Sequence, residues 1–300
     1  MLPIVSSSAG AGLLINQQCA LLGIARSSYY WHRSRRMPVL ADEQEMVLRN
    51  RIQEICLQWP CYGYRRVRHQ LQHEGYCVNH KRVKRLMKED NLLCLRRKAF
   101  VPVTTNSCHG QRIYPNLTRE IVLTQPNQLW IADITYIRLL KEFIYLAVIL
   151  DAFSRRVIGW ALDRYIQTHL ALDALCMALR GREISSGLIH HSDRGVQYAS
   201  GEYIEQLNLA GVAISMSRKG NPYDNAKAEA FMSTLKKEEI HMNEYDSFEQ
   251  AQQNIRRFLE SYNNLRLHSS LGYYAPAVFE NNHKQSQLCS TLTTVVAVQK

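Results

Sequence analysis

The sequence predicts an α/β fold in which helices flank a mixed sheet, preceded by an all-helical domain. Two observations support this prediction. Beyond about residue 126, segments with strand and helix periodicity follow in the order strand, strand, strand, helix, strand, helix, strand, helix, which is typical of a layered α/β architecture. Between residues 41 and 95 the apolar spacing is helical throughout. A chain of 300 residues with 46% apolar residues is long enough for about two domains.

Positive charge is concentrated in the first third of the chain. The formal net charge is +11; residues 1–100 hold 17 Lys and Arg against 7 Asp and Glu, whereas residues 101–300 hold 20 against 19. A basic module in front of a nearly neutral one favours an anionic partner such as nucleic acid or an acidic membrane surface. The alternative is an ordinary solvated basic face.

The front part divides into two segments. Residues 1–40 predict a short helix at most, followed by a basic arm that contains Arg33, Arg35 and Arg36. Residues 41–100 predict a helical domain whose first helix carries Met46, Ile52 and Ile55 near one face. This second segment contains the clearest local motif of the chain.

The motif is a helix, a glycine turn and a basic helix. Residues 64–73 form the first helix, Gly75 interrupts it, and Asn79 is a suitable N-cap for the second. Its apolar positions are spaced i, i+3, i+4, and the positions between them are cationic: Lys81, Arg82, Lys84, Arg85 and Lys88. This pattern is typical of a helix-turn-helix whose second helix enters a DNA major groove. A Lys- and Arg-rich surface helix without DNA contacts is the alternative.

The remaining elements are predicted from periodicity and breakers. Residues 101–125 form a linker, and residues 126–242 a core with strands at 129–139, 143–151, 155–162, 187–191 and 212–216. The core helices are expected at 168–179, 201–209 and 225–240. A helical extension follows over 243–285, and the stretch 286–300, which has almost no charge, is an unassigned tail.

Three carboxylates lie at strand ends or on the last core helix. Asp133 lies within the first strand beside apolar residues, where a buried charge is costly unless it is paired or holds a metal. Asp193 ends a short buried strand, and Glu229 lies on the last helix. Oxygen ligands of this kind suit Mg²⁺ or Mn²⁺, and two such ions can serve phosphoryl transfer. The alternative is that each carboxylate is a cap or a surface residue.

For the other polar residues near these carboxylates, a purely structural role is an alternative to a functional one. Lys236 follows Glu229 by seven residues and so rises from the same helix face, where it could hold a phosphate or be solvated. Asp224 suits an N-cap, and Asp151 a strand end. His191 is expected to pack near Asp193, to position a phosphate, or to fill the core.

Cysteine usage and hydropathy point to a protein of the cytoplasm. The eight cysteines include no C-x-x-C pair, which indicates free thiols, and His69, His73 and Cys77 lack a recognisable fourth zinc ligand. The longest apolar run, 143–150, is far shorter than the roughly 20 residues that span a bilayer. We therefore expect no membrane association.

Four motifs occur together and in order. They are residues 130–136, 149–160, 191–198 and 221–226, with 35 residues between Asp193 and Glu229. With these motifs the chain resembles bacterial insertion-sequence transposases, and in particular the second-frame (OrfB-type) product of two-frame elements, which carries a retroviral-integrase-like catalytic core. The resemblance runs from about residue 21 to residue 280.

This resemblance implies an RNase H-like core in which Asp133, Asp193 and Glu229 form a DDE triad that is both catalytic and metal-binding. The triad would bind two ions of Mg²⁺ or Mn²⁺. It implies that Lys236 is the basic residue that follows the glutamate. Residues 62–92 match the helix-turn-helix region, and residues 262–271 with Pro276 match a C-terminal motif expected to support the core or DNA. The implied partners are element ends and target DNA, bound by a homo-oligomer in the bacterial nucleoid.

Two departures from the family pattern qualify this expectation. Ala230 follows the glutamate where many relatives have serine, and the chain starts near the end of the first-frame product, so binding to element ends is expected to be weak or to need a first-frame partner. The expected function is metal-dependent DNA cleavage and strand transfer. The alternatives are a DNA-binding regulator that is inactive without its first-frame partner, and a related metal-dependent nuclease.

Overall fold

The front third of the chain is helical. The computed structural model describes residues 15–21, 23–34, 39–92, 111–119, 121–218 and 225–298. Within these ranges five helices precede the sheet: α1 (Ile15–Leu21), α2 (Arg26–Ser34), α3 (Val39–Gln58), α4 (Tyr64–His73) and α5 (His80–Glu89). The expected basic arm is therefore helical over Arg26–Ser34, whereas Arg35, Arg36 and the predicted cap Asp224 lie outside the described residues.

Helices α3, α4 and α5 share one apolar core, as predicted for a helix-turn-helix. Gly75 has φ +88°, a left-handed conformation that ends α4, and the Asn79 side chain accepts a hydrogen bond from the Lys81 N–H at the start of α5. One predicted core residue is wrong: Met46 is 63% exposed, and Leu48 is buried with Ile52 instead. Six residues of helix rotate Met46 to the opposite side from Ile52, whereas the four-residue spacing of Leu48 keeps it on the same face.

The sheet has five strands in the order β3-β2-β1-β4-β5. Strands β1 (Leu129–Arg138), β2 (Phe143–Asp151) and β3 (Val157–Asp163) are antiparallel, and β4 (Ile189–Ser192) and β5 (Ala213–Met216) continue parallel to β1. Helices α6 (Thr168–Gly181) and α7 (Gly201–Leu209) lie between strands along the chain, as expected for α/β crossovers. This is the mixed, helix-flanked sheet that the sequence predicts.

Both faces of the sheet are covered, which explains why its central strands are apolar at almost every position. Ile131 and Ile137 of β1 pack with Phe231 and Tyr262 in one buried cluster, and Trp130 packs with α6 and α7 in the other. The approach of α6 is so close that a Cβ on Gly159 would lie 2.2 Å from the Ala174 carbonyl oxygen. Gly159 therefore sets the packing distance between β3 and α6.

The last part of the chain wraps the core in helices. It comprises α8 (Ala226–Leu235), a π-helix (Lys236–Ile240), α9 (Phe248–Asn264), a short 3-10 helix (Ser269–Leu271) and α10 (Pro276–Val298). The predicted single helix over 225–240 thus changes to π geometry at Lys236. The stretch that stays unassigned from the sequence is helical as far as residue 298, because α10 continues through it. Across the described ranges, no helix combines the length and apolarity that crossing a membrane requires.

A buried glutamate joins α10 to the sheet. Glu280 accepts hydrogen bonds from the Ser154 hydroxyl at 2.6 Å and from the guanidiniums of Arg156 at 2.8 Å and Arg182 at 2.6 Å. Burial opposes its ionisation, yet these partners hold the pKa of Glu280 below its usual value. Next to it, buried Asp151 ends β2 as predicted and accepts a hydrogen bond from the Ser154 N–H at 3.0 Å.

The helical domain contacts the core through the predicted C-terminal motif. The Leu267 N–H donates to the Tyr62 hydroxyl at 2.8 Å, and the His69 ring stacks on Tyr273 with centroids 3.6 Å apart. Beside Leu267, buried Arg266 makes two hydrogen bonds of 2.6 Å to Glu238 of the π-helix. We call the set Tyr62, Glu238, Arg266, Leu267 and His268 the domain junction. The motif therefore supports the core, one of the two roles expected of it.

The domain junction is expected to weaken in acid because of His268. Burial, with Arg266 nearby, lowers the pKa of His268 to about 3, and its Nε2 lies 3.3 Å from Arg266 Nη1, which can only donate. Below the ordinary histidine pKa of about 6.5, the unfolded chain binds a proton that the folded chain does not. The stability that depends on a neutral His268 is therefore fully present above about pH 6.5. It is lost as the pH falls, by about 1.4 kcal/mol per pH unit.

Urea unfolding at pH 7 and pH 5 checks this expectation. The wild type should lose about 2 kcal/mol more than His268→Gln between these two values, because glutamine does not titrate and its carbonyl oxygen can still accept from Arg266. Burial also lowers the pKa of His190 to about 3, but both proteins contain His190, so its contribution cancels in the comparison. Parallel losses of stability in the two proteins would contradict a neutral His268.

Candidate active site

The strand register brings two of the predicted carboxylates side by side. In the parallel pair of β1 and β4, Leu129 lies opposite Ile189 and Ile131 opposite His191. Extended by two residues beyond its last pair, the same register would place Asp133 opposite Asp193, the first residue after β4. Neighbouring strands are about 4.8 Å apart, and residues two apart along a strand share a face. The two carboxylates therefore occupy adjacent positions where β4 ends.

The charge around Asp133 is consistent with this placement. Burial and the negative charge of Asp193 raise the pKa of Asp133 to about 7, with a smaller contribution from Glu229, while Lys236 and a 2.9 Å hydrogen bond from the Ile134 N–H oppose the rise. Asp193, Glu229 and Lys236 thus all act electrostatically on Asp133. Two carboxylates that repel each other in a half-buried site can be neutralised by a proton or a bound cation.

Asp193 is held in a tight turn after β4. Its Oδ1 accepts a hydrogen bond from the Gly195 N–H at 2.9 Å, and its carbonyl oxygen accepts from the Ser192 hydroxyl at 3.0 Å. A Cβ on Gly195 would lie 2.9 Å from that same Oδ1 and 3.2 Å from Gln197 Oε1. Gly195 therefore leaves room for the carboxylate to remain beside Asp133.

Gly195→Ala is expected to reduce any activity of this site at least tenfold, because the added methyl group pushes Asp193 Oδ1 away from its present position. Global stability should change by no more than about 1–2 kcal/mol, since the turn lies outside the apolar clusters. Activity and urea unfolding are measured on the same preparations. An alanine variant of full activity would show that the position of Asp193 does not matter.

Glu229 stands apart from the two aspartates. It is exposed in the first turn of α8, a helix anchored by buried Ala228, Phe231 and Leu235. Among the residues that the structure describes, no three His, Cys, Asp or Glu side chains lie close enough together to enclose a metal ion. The structure therefore brings Asp133 and Asp193 together with Glu229 within electrostatic range, and the metal-binding triad stays a prediction.

Lys236 lies beside the carboxylates, as its spacing from Glu229 indicated. Its ammonium is 4.9 Å from the centre of the Tyr136 ring, over which it lies. Burial lowers its pKa, while the charge of Asp133 acts in the opposite direction. A half-buried cation next to two aspartates can contact a phosphate that binds there. Nothing in the sequence pattern predicts Tyr136 as its neighbour.

The histidines next to Asp193 are structural. His191 is fully buried, with Nδ1 2.8 Å from the Ser215 hydroxyl and Nε2 3.0 Å from the Ser217 hydroxyl. His190 Nε2 lies 2.9 Å from the Tyr203 hydroxyl. Both rings serve the core, so the alternative that His191 positions a phosphate is not supported. Ser192 is bonded to a backbone oxygen rather than to a histidine, which does not activate it as a nucleophile.

The basic helix α5 divides into paired and exposed cations. Arg82 and Arg85 form ion pairs with Glu45 of α3, at 3.1 and 3.2 Å, and Arg85 also pairs with Glu89. Lys84 lies over the Tyr64 ring at 5.7 Å. Lys81 and Lys88 are exposed. Of the five predicted DNA contacts, the two arginines thus help to hold α5 on α3.

Three family profiles match consecutive parts of the chain. The profile of an HTH-like domain matches residues 42–100, and two profiles described as integrase core domain match residues 124–222 and 210–276. The first of these ranges contains α3, α4 and α5, and the other two contain the sheet with α6, α7, α8 and α9.

Several proteins are similar over most of their length. The "Insertion element IS600 uncharacterized 31 kDa protein" of Shigella sonnei is 37% identical over 270 residues, which is 89% of this chain and 98% of that protein. The "Transposase InsF for insertion sequence IS3A" of Escherichia coli (strain K12) is 36% identical over 276 residues, 90% of this chain and 94% of that protein. Among solved structures, the magnesium complex of the HTLV-2 integrase catalytic core domain in its dimeric form has a TM-score of 0.43 and 19% identity, covering 52% of this chain and 97% of that one.

Proposed function

Because the chain belongs to the IS3-type insertion-sequence transposases, with an HTH-like domain and an integrase core, we propose that it catalyses metal-dependent DNA cleavage and strand transfer. The observation that supports this proposal is that buried Asp133, just beyond the last β1–β4 pair, lies within electrostatic range of Asp193 and Lys236. Two adjacent carboxylates and a cation match the needs of phosphodiester chemistry.

The donor set fits Mg²⁺ or Mn²⁺, which prefer carboxylate oxygens and retain open positions for water and substrate phosphate. Asp133 and Asp193, joined by Glu229 from α8, would hold two such ions. When bound, the metal would polarise the phosphate and stabilise charge on the attacking and leaving oxygens. The raised pKa of Asp133 supports this assignment, because the repulsion that raises it is relieved when a cation is held between the two aspartates.

The protein residues supply position and charge. Gly195 keeps the Asp193 carboxylate beside Asp133, and Lys236 is placed to contact a phosphate oxygen. Strand transfer exchanges one phosphodiester for another: the attacking 3′-oxygen bonds to phosphorus, the bond to the leaving 3′-oxygen breaks, and the proton passes from the first oxygen to the second. The reaction therefore requires no nucleotide cofactor and no protein nucleophile.

DNA is the proposed substrate and main partner. The exposed Lys81, Lys84 and Lys88 of α5 are available for phosphates or base edges. Element ends and target must meet in one complex, so we propose a homo-oligomer on nucleoid DNA, assisted by the first-frame product. Arg82 and Arg85 would reach DNA only by exchanging Glu45 for phosphate.

A strand-transfer assay tests the function. The substrate is a pre-cleaved element end with a free 3′-OH, incubated with target DNA in Mg²⁺, in Mn²⁺ and in EDTA. Joined products that require metal are expected. Cutting without joining would instead identify a nuclease, and binding without either reaction would identify a regulator or a chain that needs its first-frame partner.

A further inference from the structure

A cleft of about 720 Å³ opens next to Lys236. Strands β1 and β2 form one wall with Tyr136, Arg138 and Phe143, and the π-helix with the loop after it forms the other, with Lys236 and Tyr245. Strand β4 ends at Ser192, so β1 beyond Asp133 has no neighbouring strand on that side among the described residues. We call this space the aromatic cleft; its volume is within the range of small-molecule sites.

The lining of the aromatic cleft combines flat rings with positive charge. The Tyr136 and Phe143 rings meet edge to face with centroids 5.9 Å apart, and Phe143 is 51% exposed. Leu140 at the rim is 61% exposed, so the cleft presents apolar surface to solvent. Arg138 and Lys236 supply two cations, against one acidic residue, Glu244. Aromatic faces interleaved with cations are the means by which proteins bind unpaired nucleic-acid bases.

The aromatic cleft adjoins the carboxylate site through Lys236. Tyr136 follows Asp133 by three residues on β1, a rise of about 10 Å, and this odd spacing directs the two side chains to opposite faces of the strand. Lys236 belongs to both places, because its ammonium lies over the Tyr136 ring and its charge acts on Asp133. A DNA strand with a phosphate at Lys236 and the carboxylates would therefore have neighbouring nucleotides within reach of the cleft, because about three nucleotide steps span about 10 Å.

From this geometry, and resting on the proposed function, we infer that the aromatic cleft receives an unstacked nucleobase from the DNA strand held at the carboxylates. The base would stack on Phe143 and Tyr136, and Arg138 and Lys236 would contact the adjoining phosphates. Stacking in the cleft offsets the loss of stacking in the duplex, so an end that is already unpaired binds more tightly. The cleft thus selects DNA ends that open near the reacting phosphate.

The test compares DNA ends that differ at one nucleotide. Pre-cleaved ends carry a base pair, a mismatched base or an abasic site at each of the first five positions from the 3′-OH, and their dissociation constants are measured by fluorescence anisotropy. At one of these positions the wild-type protein should bind the mismatched end several-fold more tightly than the fully paired end. At the same position it should bind the abasic end at least about fivefold more weakly than the mismatched end.

Three variants separate cleft binding from general effects. Phe143→Ala should lose the difference between mismatch and abasic site, and Phe143→Trp, which keeps a ring, should retain it. Leu209→Ala, a 75% exposed leucine outside the cleft, is the matched surface control and should behave as the wild type. Circular dichroism and urea unfolding confirm that each variant is folded before binding is compared.

The outcomes distinguish this inference from the proposed function. A wild type that joins DNA strands but binds mismatched and abasic ends equally overturns the cleft inference alone, as does a Phe143→Ala variant that keeps the difference. A wild type that neither binds nor joins these ends overturns both. Loss of the difference in Phe143→Ala, with retention in Phe143→Trp and Leu209→Ala, supports the aromatic cleft as the nucleobase site.

Discussion

Replacing Asp193 with asparagine is expected to reduce strand transfer in Mg²⁺ by about 10³-fold or more while changing DNA affinity by less than about twofold. Metal activation supplies several kcal/mol to phosphoryl transfer, and each 1.36 kcal/mol is a factor of ten in rate. Asparagine has the same shape and still offers an oxygen to the Gly195 N–H, so the turn after β4 should persist. What is lost is one negative charge next to Asp133.

The measurement is the initial rate of joining, with DNA binding determined separately in EDTA. Asp173→Asn serves as the matched control, because Asp173 is an exposed carboxylate on α6 and its removal changes the net charge by the same amount. It should join DNA at the wild-type rate. If Asp193→Asn keeps full activity in Mg²⁺, the carboxylate pair does not hold the catalytic metal.

Local features of the site were predictable because their signals are local. The strand 143–151 is apolar at nearly every position since both faces of the sheet are covered, and its predicted bounds coincide with β2. The Asn79 cap depends on one residue and the next turn of helix. The sequence also placed Asp133 in a strand, Asp193 at a strand end and Glu229 on a helix, as observed.

Contacts between distant segments were not predictable from a single sequence. The pairing of Asp133 with Asp193 depends on a parallel register across a helical crossover, and periodicity carries no register information. Glu45 neutralises Arg82 and Arg85, so cations that indicated DNA binding in fact partly serve the helical domain. The change to a π-helix at Lys236 was likewise not predicted by the periodicity, and in that helix the Glu238 side chain is held by Arg266 from a distant segment.

The second large effect is expected at the domain junction, where Glu238→Gln should lower the free energy of unfolding by about 3 kcal/mol or more. Arg266 is 2% exposed, and despite its burial the two hydrogen bonds to Glu238 raise its pKa above the usual value. Glutamine keeps the size of the side chain but leaves a buried guanidinium without its countercharge, which costs about 3–5 kcal/mol. The exposed pair of Arg164 and Glu142 is the control, and Glu142→Gln should cost less than about 1 kcal/mol.

Urea unfolding is measured for Glu238→Gln, Arg266→Met and the double variant Glu238→Leu/Arg266→Met. The comparison shows whether stability depends on the ion pair itself or on leaving one charge buried without its partner. The double variant should recover much of the lost stability, because replacing both charges with apolar groups leaves neither one buried alone. Activity should not recover with it: Glu238 lies two residues after Lys236, and Leu267, next to Arg266, bonds Tyr62 of the helical domain. A stable double variant with wild-type strand transfer would show that the junction holds the domains together without positioning Lys236.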